Sequence, residues 1–86
     1  MASYEIEITR SAERQLKRLP PDDRQRIVRA ILPLSDDPFP RGSRKLSGYD
    51  DVLRIRVGTY RVLYSVSEKK LIIIILKIGH GKNVYR

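Results

Sequence analysis

Arg54, Arg56 and Arg61, a lone His80, Lys82 and a near-terminal Tyr85 fall in the last third of the chain. Side chains of these types can bind and cut a phosphodiester without any metal. An RNA strand carries its own nucleophile, the 2′-hydroxyl beside the scissile phosphate. A protein then has to supply a base near that hydroxyl, cations for the phosphate and an acid for the departing 5′-oxygen. Arginine suits the cationic task because its planar fork pairs with two phosphate oxygens at once. Arg56 and Arg61 are the candidates for it, with Arg54 nearby and with Arg44, Lys45 and Lys77 as further phosphate-binding positions. Tyr85 can act as base where a dense field of cations draws its pKa down towards neutrality; otherwise its ring pins the tail onto the sheet. His80 is open to the role of acid, base or phosphate ligand, since a histidine titrates near neutrality, or it ends a strand with a solvated ring.

The elements that must position these groups are legible around them. From Leu53 to Val66 charged or polar side chains alternate with branched apolar ones, the pattern of strands buried on one face. Gly58-Thr59 interrupts the pattern, and a two-residue loop with Gly first suits a type II′ hairpin turn. That turn sets Val57 opposite Tyr60 and Arg56 opposite Arg61, so two guanidinium groups share one face of neighbouring strands. Like charges in that relation cost on the order of 0.2–1 kcal/mol, the size of a favourable cross-strand pair. A polyanionic ligand explains their presence; the alternative is that both side chains splay into water at small cost.

The chain has 86 residues, enough for one domain, 1–86, with one modest core. Its 18 Lys and Arg against 10 Asp and Glu give a formal charge of +8. Such a balance fits a nucleic-acid partner, and by itself fits an anionic membrane surface or an acidic protein equally well. With no cysteine and a single histidine, neither a disulfide nor a metal site is expected, and no cofactor is called for. The start Met-Ala-Ser-Tyr-Glu-Ile-Glu lacks a basic region followed by an apolar stretch, so no secretory signal is read and a cytoplasmic location is expected. The apolar run from Leu71 to Leu76 is too short to span a bilayer and reads as a central strand buried on both faces.

Tyr4 to Ile8 alternates as a short strand. Thr9 or Ser11 can cap a helix with Ala12, Leu16 and Leu19 on one stripe and Arg14, Lys17 and Arg18 towards solvent. Pro20-Pro21 ends it, and Pro21-Asp22-Asp23 starts a second helix with the stripe Ile27, Ala30, Ile31 and Leu34, which Pro33 kinks or terminates. Residues 36–43 form a loop by their Pro, Gly and Asp content. Strands follow from Lys45, through Val57, Val66 and Ile78, with a turn at 67–70. The order β-α-α-β-β-β predicts an α+β fold, a helical hairpin packed on one face of a small, mainly antiparallel sheet. Parity leaves Arg54, Arg56 and Arg61 on the open face, a shallow groove floored by Leu63 and residues of the isoleucine-rich strand and closed at one end by the tail from Gly79 to Arg86.

Lys45-Leu46-Ser47-Gly48, the stretch Leu53-Arg54-Ile55-Arg56-Val57-Gly58-Thr59-Tyr60-Arg61-Val62-Leu63-Tyr64, then Ile78-Gly79-His80 and Val84-Tyr85-Arg86 resemble the signature of RelE-type toxins in the RelE/ParE toxin–antitoxin superfamily. The helix with Ala12, Leu16 and Leu19 fits it too, so the resemblance covers nearly the whole chain. It implies the RelE-like microbial RNase fold and a toxin that cuts messenger RNA in the ribosomal A site. It also implies a cognate antitoxin, a toxin–antitoxin hetero-oligomer, and no membrane. The family's catalytic groups match Arg54, Arg56, Arg61 and Tyr85. One departure stands out: members usually carry an Arg after the basic position that follows the last strand's Gly, and here that position is Gly81, leaving Lys82 or His80 to act as acid or phosphate clamp. A ParE-like inhibitor of DNA gyrase, or a binding module that holds antitoxin and RNA with weakened cleavage, are the competing expectations. His80 and Tyr85 speak against the gyrase reading; Gly81 speaks for the binding module.

Overall fold

The computed structural model describes residues 3–81; Lys82 and Tyr85 lie outside the described residues. Strand β1, Glu5–Ile8, leads directly into helix α1, Arg10–Arg18. Of the two candidate caps it is Thr9 that serves, its hydroxyl accepting the Ala12 N–H at 3.1 Å and so satisfying one of the donors a helix start leaves open. Pro20-Pro21 stops α1 and starts α2, Pro21–Ile31, with Pro in its first turn and Asp22 and Asp23 at the positive end of the dipole. The Arg24 guanidinium reaches back from α2 and donates to the carbonyls of Lys17 and Leu19, each at 3.2 Å, taking up acceptors that the end of α1 exposes. Pro33 ends α2 at Ile31 and tightens the chain into a 3-10 turn, Leu32–Ser35.

The sheet has five strands in the order β1-β5-β4-β3-β2, with β2 at Arg44–Lys45, β3 at Val52–Val57, β4 at Tyr60–Ser67 and β5 at Ile72–His80. β1 runs parallel to β5, and the other neighbours are antiparallel. The helical pair covers one face, giving the expected α+β layers, with β2 as a two-residue addition at one edge. The hairpin has the expected register, Val57 opposite Tyr60 and Arg56 opposite Arg61, and Gly58 takes the positive φ of +61° that such a turn demands. The turn before β5 runs one residue further than the composition suggested, because Leu71 adopts a left-handed φ of +56°.

Between Leu63 and Tyr64 the pairing with β5 slips by one residue: Leu63 faces Lys77 but Tyr64 faces Ile75, so Leu76 is the extra residue of a bulge. The backbone groups around it are taken up by α1 and its cap. The Thr9 hydroxyl donates to the Leu76 carbonyl at 3.0 Å, and the Gln15 side-chain oxygen accepts the Ile78 N–H at 2.8 Å. The bulge changes which side chains face the helices. Ile73 and Ile75 point to the core before it and Ile78 after it, while Lys77 is turned to the open face.

The core lies between the helices and the inner sheet face. Ile27, Leu34, Val62, Tyr64, Ile73, Ile75 and Ile78 are each no more than 1% exposed. β5 is an interior strand, between β1 and β4, yet it is not buried equally on both faces. Ile72 and Ile74 are half-buried because no helix covers their side. The Tyr64 hydroxyl donates to the buried Pro38 carbonyl at 2.8 Å, holding the 36–43 loop against the core, and burial pushes its pKa up from the ordinary value. No described helix is long and apolar enough to cross a membrane.

A cationic sheet face as the candidate functional site

Strand pairing assembles the arginines. Arg54 and Arg56 lie two apart on β3 and so share a face; Arg44 of β2 is opposite Arg54, and Arg61 of β4 is opposite Arg56. Beside the Arg56–Arg61 pair set by the hairpin turn stands a second like-charge pair, Arg44–Arg54, so the two rows run across three strands. Both pairs lie on the face the helices leave open. Arg44 and Arg56 are exposed, Arg61 is half-buried, and Arg54 is only 9% exposed. Opposed like charges cost stability in a sheet that binds nothing, and an anion between them reverses the sign of that cost.

Arg41, Gly42, Arg44, Arg54, Ile55 and Arg56 line a cavity of about 380 Å³. Arg41 joins the cationic positions that strand alternation points to. Its signal was its spacing, three residues from Arg44 across Gly42 in a loop that folds back beside β3. A larger cavity of about 560 Å³ lies on the same open face, lined mainly by the apolar side chains of Leu46, Tyr49, Val52, Leu63 and Leu76, together with Ser47 and Lys77. One lining residue of each stands in a cross-strand pair, Leu63 of the larger cavity opposite Arg54 of the smaller. Leu63 floors the open face as expected, and Lys77 reaches it only because of the β5 bulge.

Two candidates fall elsewhere. Lys45 pairs with Leu53, whose side chain is in the core, so Lys45 projects towards the helix side of the edge strand and is exposed there. His80 pairs with Tyr60, again on the helix side, and the two rings sit 4.3 Å apart at a tilt of 32°. It is Gly79, not His80, that lies across from Arg61. The Tyr60 hydroxyl donates to Asp23 Oδ2 of α2 at 2.9 Å, and this bond to a carboxylate, with desolvation behind it, raises the Tyr60 pKa above its ordinary value. Gly81 takes a φ of +31°, and its N–H donates to the Thr59 carbonyl of the hairpin turn at 3.2 Å. A side chain at that position would be strained, which gives a local reason for the glycine. Among the described residues no group of three or more His, Cys, Asp or Glu could hold a metal ion.

Residues 6–85 match the family described as the ParE toxin of the type II toxin–antitoxin system parDE. The chain is 34% identical to RelE1 of Methanocaldococcus jannaschii over 86 residues, with 96% of each chain covered. It is 33% identical to the toxin RelG of Mycobacterium tuberculosis over 91 residues, covering 96% of this chain and 97% of the relative. In three dimensions it is similar to the archaeal RelE–RelB complex from Pyrococcus horikoshii OT3, with a TM-score of 0.81 and 34% identity over 91% of this chain and 94% of the other.

Proposed function

This chain belongs to the RelE/ParE superfamily of toxins from type II toxin–antitoxin systems, and from that premise we propose that it is a ribosome-dependent endonuclease of messenger RNA. The observation that carries the reading is the double row of arginines on the open sheet face. Four guanidinium groups across three strands fit a chain of phosphates better than a single small anion, because phosphates recur along a nucleic-acid backbone at regular spacing.

In the proposed reaction the 2′-hydroxyl of a nucleotide in the ribosomal A site attacks the adjacent phosphorus. Its proton passes to a base on the protein, the O2′–P bond forms, the P–O5′ bond breaks, and an acid gives a proton to the departing 5′-oxygen. The products are a 2′,3′-cyclic phosphate and a free 5′-hydroxyl. Arg56 and Arg61 hold the charge that builds on the phosphate oxygens during this step, where a bidentate fork gains most. Arg54, Arg44 and Lys77 bind neighbouring phosphates. Tyr85 and Lys82 are the groups for base and acid. His80, stacked on Tyr60 on the other side of the sheet, supports the end of β5 and is a weaker choice for proton transfer. An acidic antitoxin is the partner in this reading, by analogy with the RelE–RelB assembly of P. horikoshii and in keeping with the +8 charge. Toxin and ribosome then meet in the cytoplasm.

Primer-extension mapping of a defined messenger RNA on purified ribosomes with an occupied P site tests the proposal, run beside a gyrase supercoiling assay. Cuts confined to the A-site codon and lost in Tyr85→Phe support it. A gyrase inhibitor is the second reading, favoured by the match to the family described as ParE; inhibited supercoiling without RNA cuts would establish that one. No effect in either assay would leave a binding module, weakened at Gly81.

A further inference from the structure

Tyr60 opens β4 with its side chain turned towards the helices and 8% exposed. Three contacts converge on it and its neighbours. Its hydroxyl donates to Asp23 Oδ2 at 2.9 Å. Its ring lies 4.3 Å from that of His80. Next to it, the Thr59 carbonyl accepts the Gly81 N–H at 3.2 Å. Asp23 is in turn 3.6 Å from Arg26, one helical turn on, whose guanidinium covers the hairpin so closely that a Cβ on Gly58 would stand 2.6 Å from it. Helix α2 thus grips the β3–β4 hairpin at two points. The hairpin grips residues 80 and 81, one by its ring and one by its backbone.

We infer that Asp23 and Tyr60 are positioning residues of the toxin, forming a clamp that fixes the end of β5 at His80 and Gly81, the anchor from which the chain continues to Lys82 and Tyr85. The inference rests on the endonuclease reading and adds to it two residues that touch neither phosphate nor base. The leverage is geometric. Tyr85 follows Gly81 by four residues, a reach of at most about 14 Å when extended. A rotation of about 10° at Gly81 would displace a group at that distance by roughly 2.4 Å, and misplacement of about 1 Å in a reacting group can cost on the order of a hundredfold in rate. A clamp at the end of β5 therefore matters more to catalysis than the loss of one hydrogen bond matters to stability.

The test uses the full chain on programmed ribosomes, with Tyr60→Phe, which keeps the ring against His80 and removes the hydroxyl; Asp23→Ala, which removes the acceptor; and Asp23→Asn, which keeps one. All are compared at a temperature where circular dichroism shows each variant folded. The clamp predicts that Tyr60→Phe and Asp23→Ala lower kcat about tenfold or more with KM within twofold, that Asp23→Asn stays within about threefold of wild type, and that the amide resonance of Gly81 moves in the first two. Arg56→Ala is the contrast, since it should lower activity without moving Gly81. Wild-type kcat in folded Tyr60→Phe, or an unmoved Gly81 amide, would overturn the inference. Should the wild-type protein itself fail to cut, the endonuclease reading falls, and the Gly81 resonance alone still decides whether Asp23 and Tyr60 hold the end of β5.

Discussion

Replacing Arg56 by Ala should separate function from stability more cleanly than any other change on the open face. Arg56 is exposed and stands opposite Arg61 on β4. Directly opposed residues have Cβ atoms about 5 Å apart, and two unit charges at roughly 7 Å in water repel by about 0.6 kcal/mol. Arg56→Ala relieves it and loses the covering that the arginine stem gives to its neighbours, a term of similar size and opposite sign. Stability should therefore stay within about 0.5 kcal/mol of wild type, a shift of no more than about 2–4 °C in Tm for a domain this small. Catalysis should respond very differently. Losing a group that stabilises charge in the transition state typically costs about 2.7–4 kcal/mol, on the order of a hundred- to a thousandfold in rate. Arg56→Lys keeps the charge and loses the planar fork, so it should fall in between. Single-turnover cleavage of messenger RNA in the ribosomal A site gives the rate, and thermal unfolding gives Tm. Cleavage by Arg56→Ala within threefold of wild type would refute the role of the arginine pair. A loss of activity matched by a large fall in Tm would show that Arg56 acts through the fold.

Alkaline pH should destabilise the protein by way of two tyrosines. The pKa values of Tyr60 and Tyr64 are both raised in the folded chain, so the stability they contribute is complete below the unfolded value of about 10 and is lost as pH climbs through the higher folded values. Urea unfolding between about pH 8 and pH 11 should show the decline, and the Tyr60→Phe, Tyr64→Phe double variant should flatten it; equal slopes in the two proteins would rule the mechanism out. Gly58→Ala should cost on the order of 1–3 kcal/mol, because the turn holds φ at +61°, while the Arg26 side chain can move aside; a neutral result in thermal unfolding would mean the hairpin has another turn open to it. Ile73, fully buried on the interior strand β5, should cost about 2–5 kcal/mol as Ala and about 0.5–1.5 as Val. A similar loss for both in chemical denaturation would contradict the burial.

Local rules carried much of the fold. The pairs Pro20-Pro21 and Asp22-Asp23 bounded two helices because proline lacks a donor and acids favour a helix start, and Gly58-Thr59 set the register that puts Arg56 opposite Arg61 because a type II′ turn leaves no choice. These are short-range effects, decided within a few residues. The Arg54, Arg56 and Arg61 face followed from period-two alternation in the same way, and the double arginine row was half legible through it.

Contacts between distant segments decided the rest. Nothing local to Leu76 announces a bulge. It exists because Thr9 and Gln15, more than sixty residues earlier, satisfy the backbone it disturbs, and only through it does Lys77 reach the open face while Ile78 keeps the core. The place of Arg44 opposite Arg54 depends on how the 36–43 loop returns to the sheet edge, which the Tyr64–Pro38 hydrogen bond helps to fix. Chain order and simple alternation point His80 to the groove, yet strand parity after the bulge sets it beside Tyr60 on the opposite side. Sequence determined the chemistry available to this protein and the strands that carry it, because residue type and turn geometry act over a few bonds. Tertiary structure determined which of those groups share a face, because a one-residue slip in strand pairing reverses the side on which every later side chain emerges.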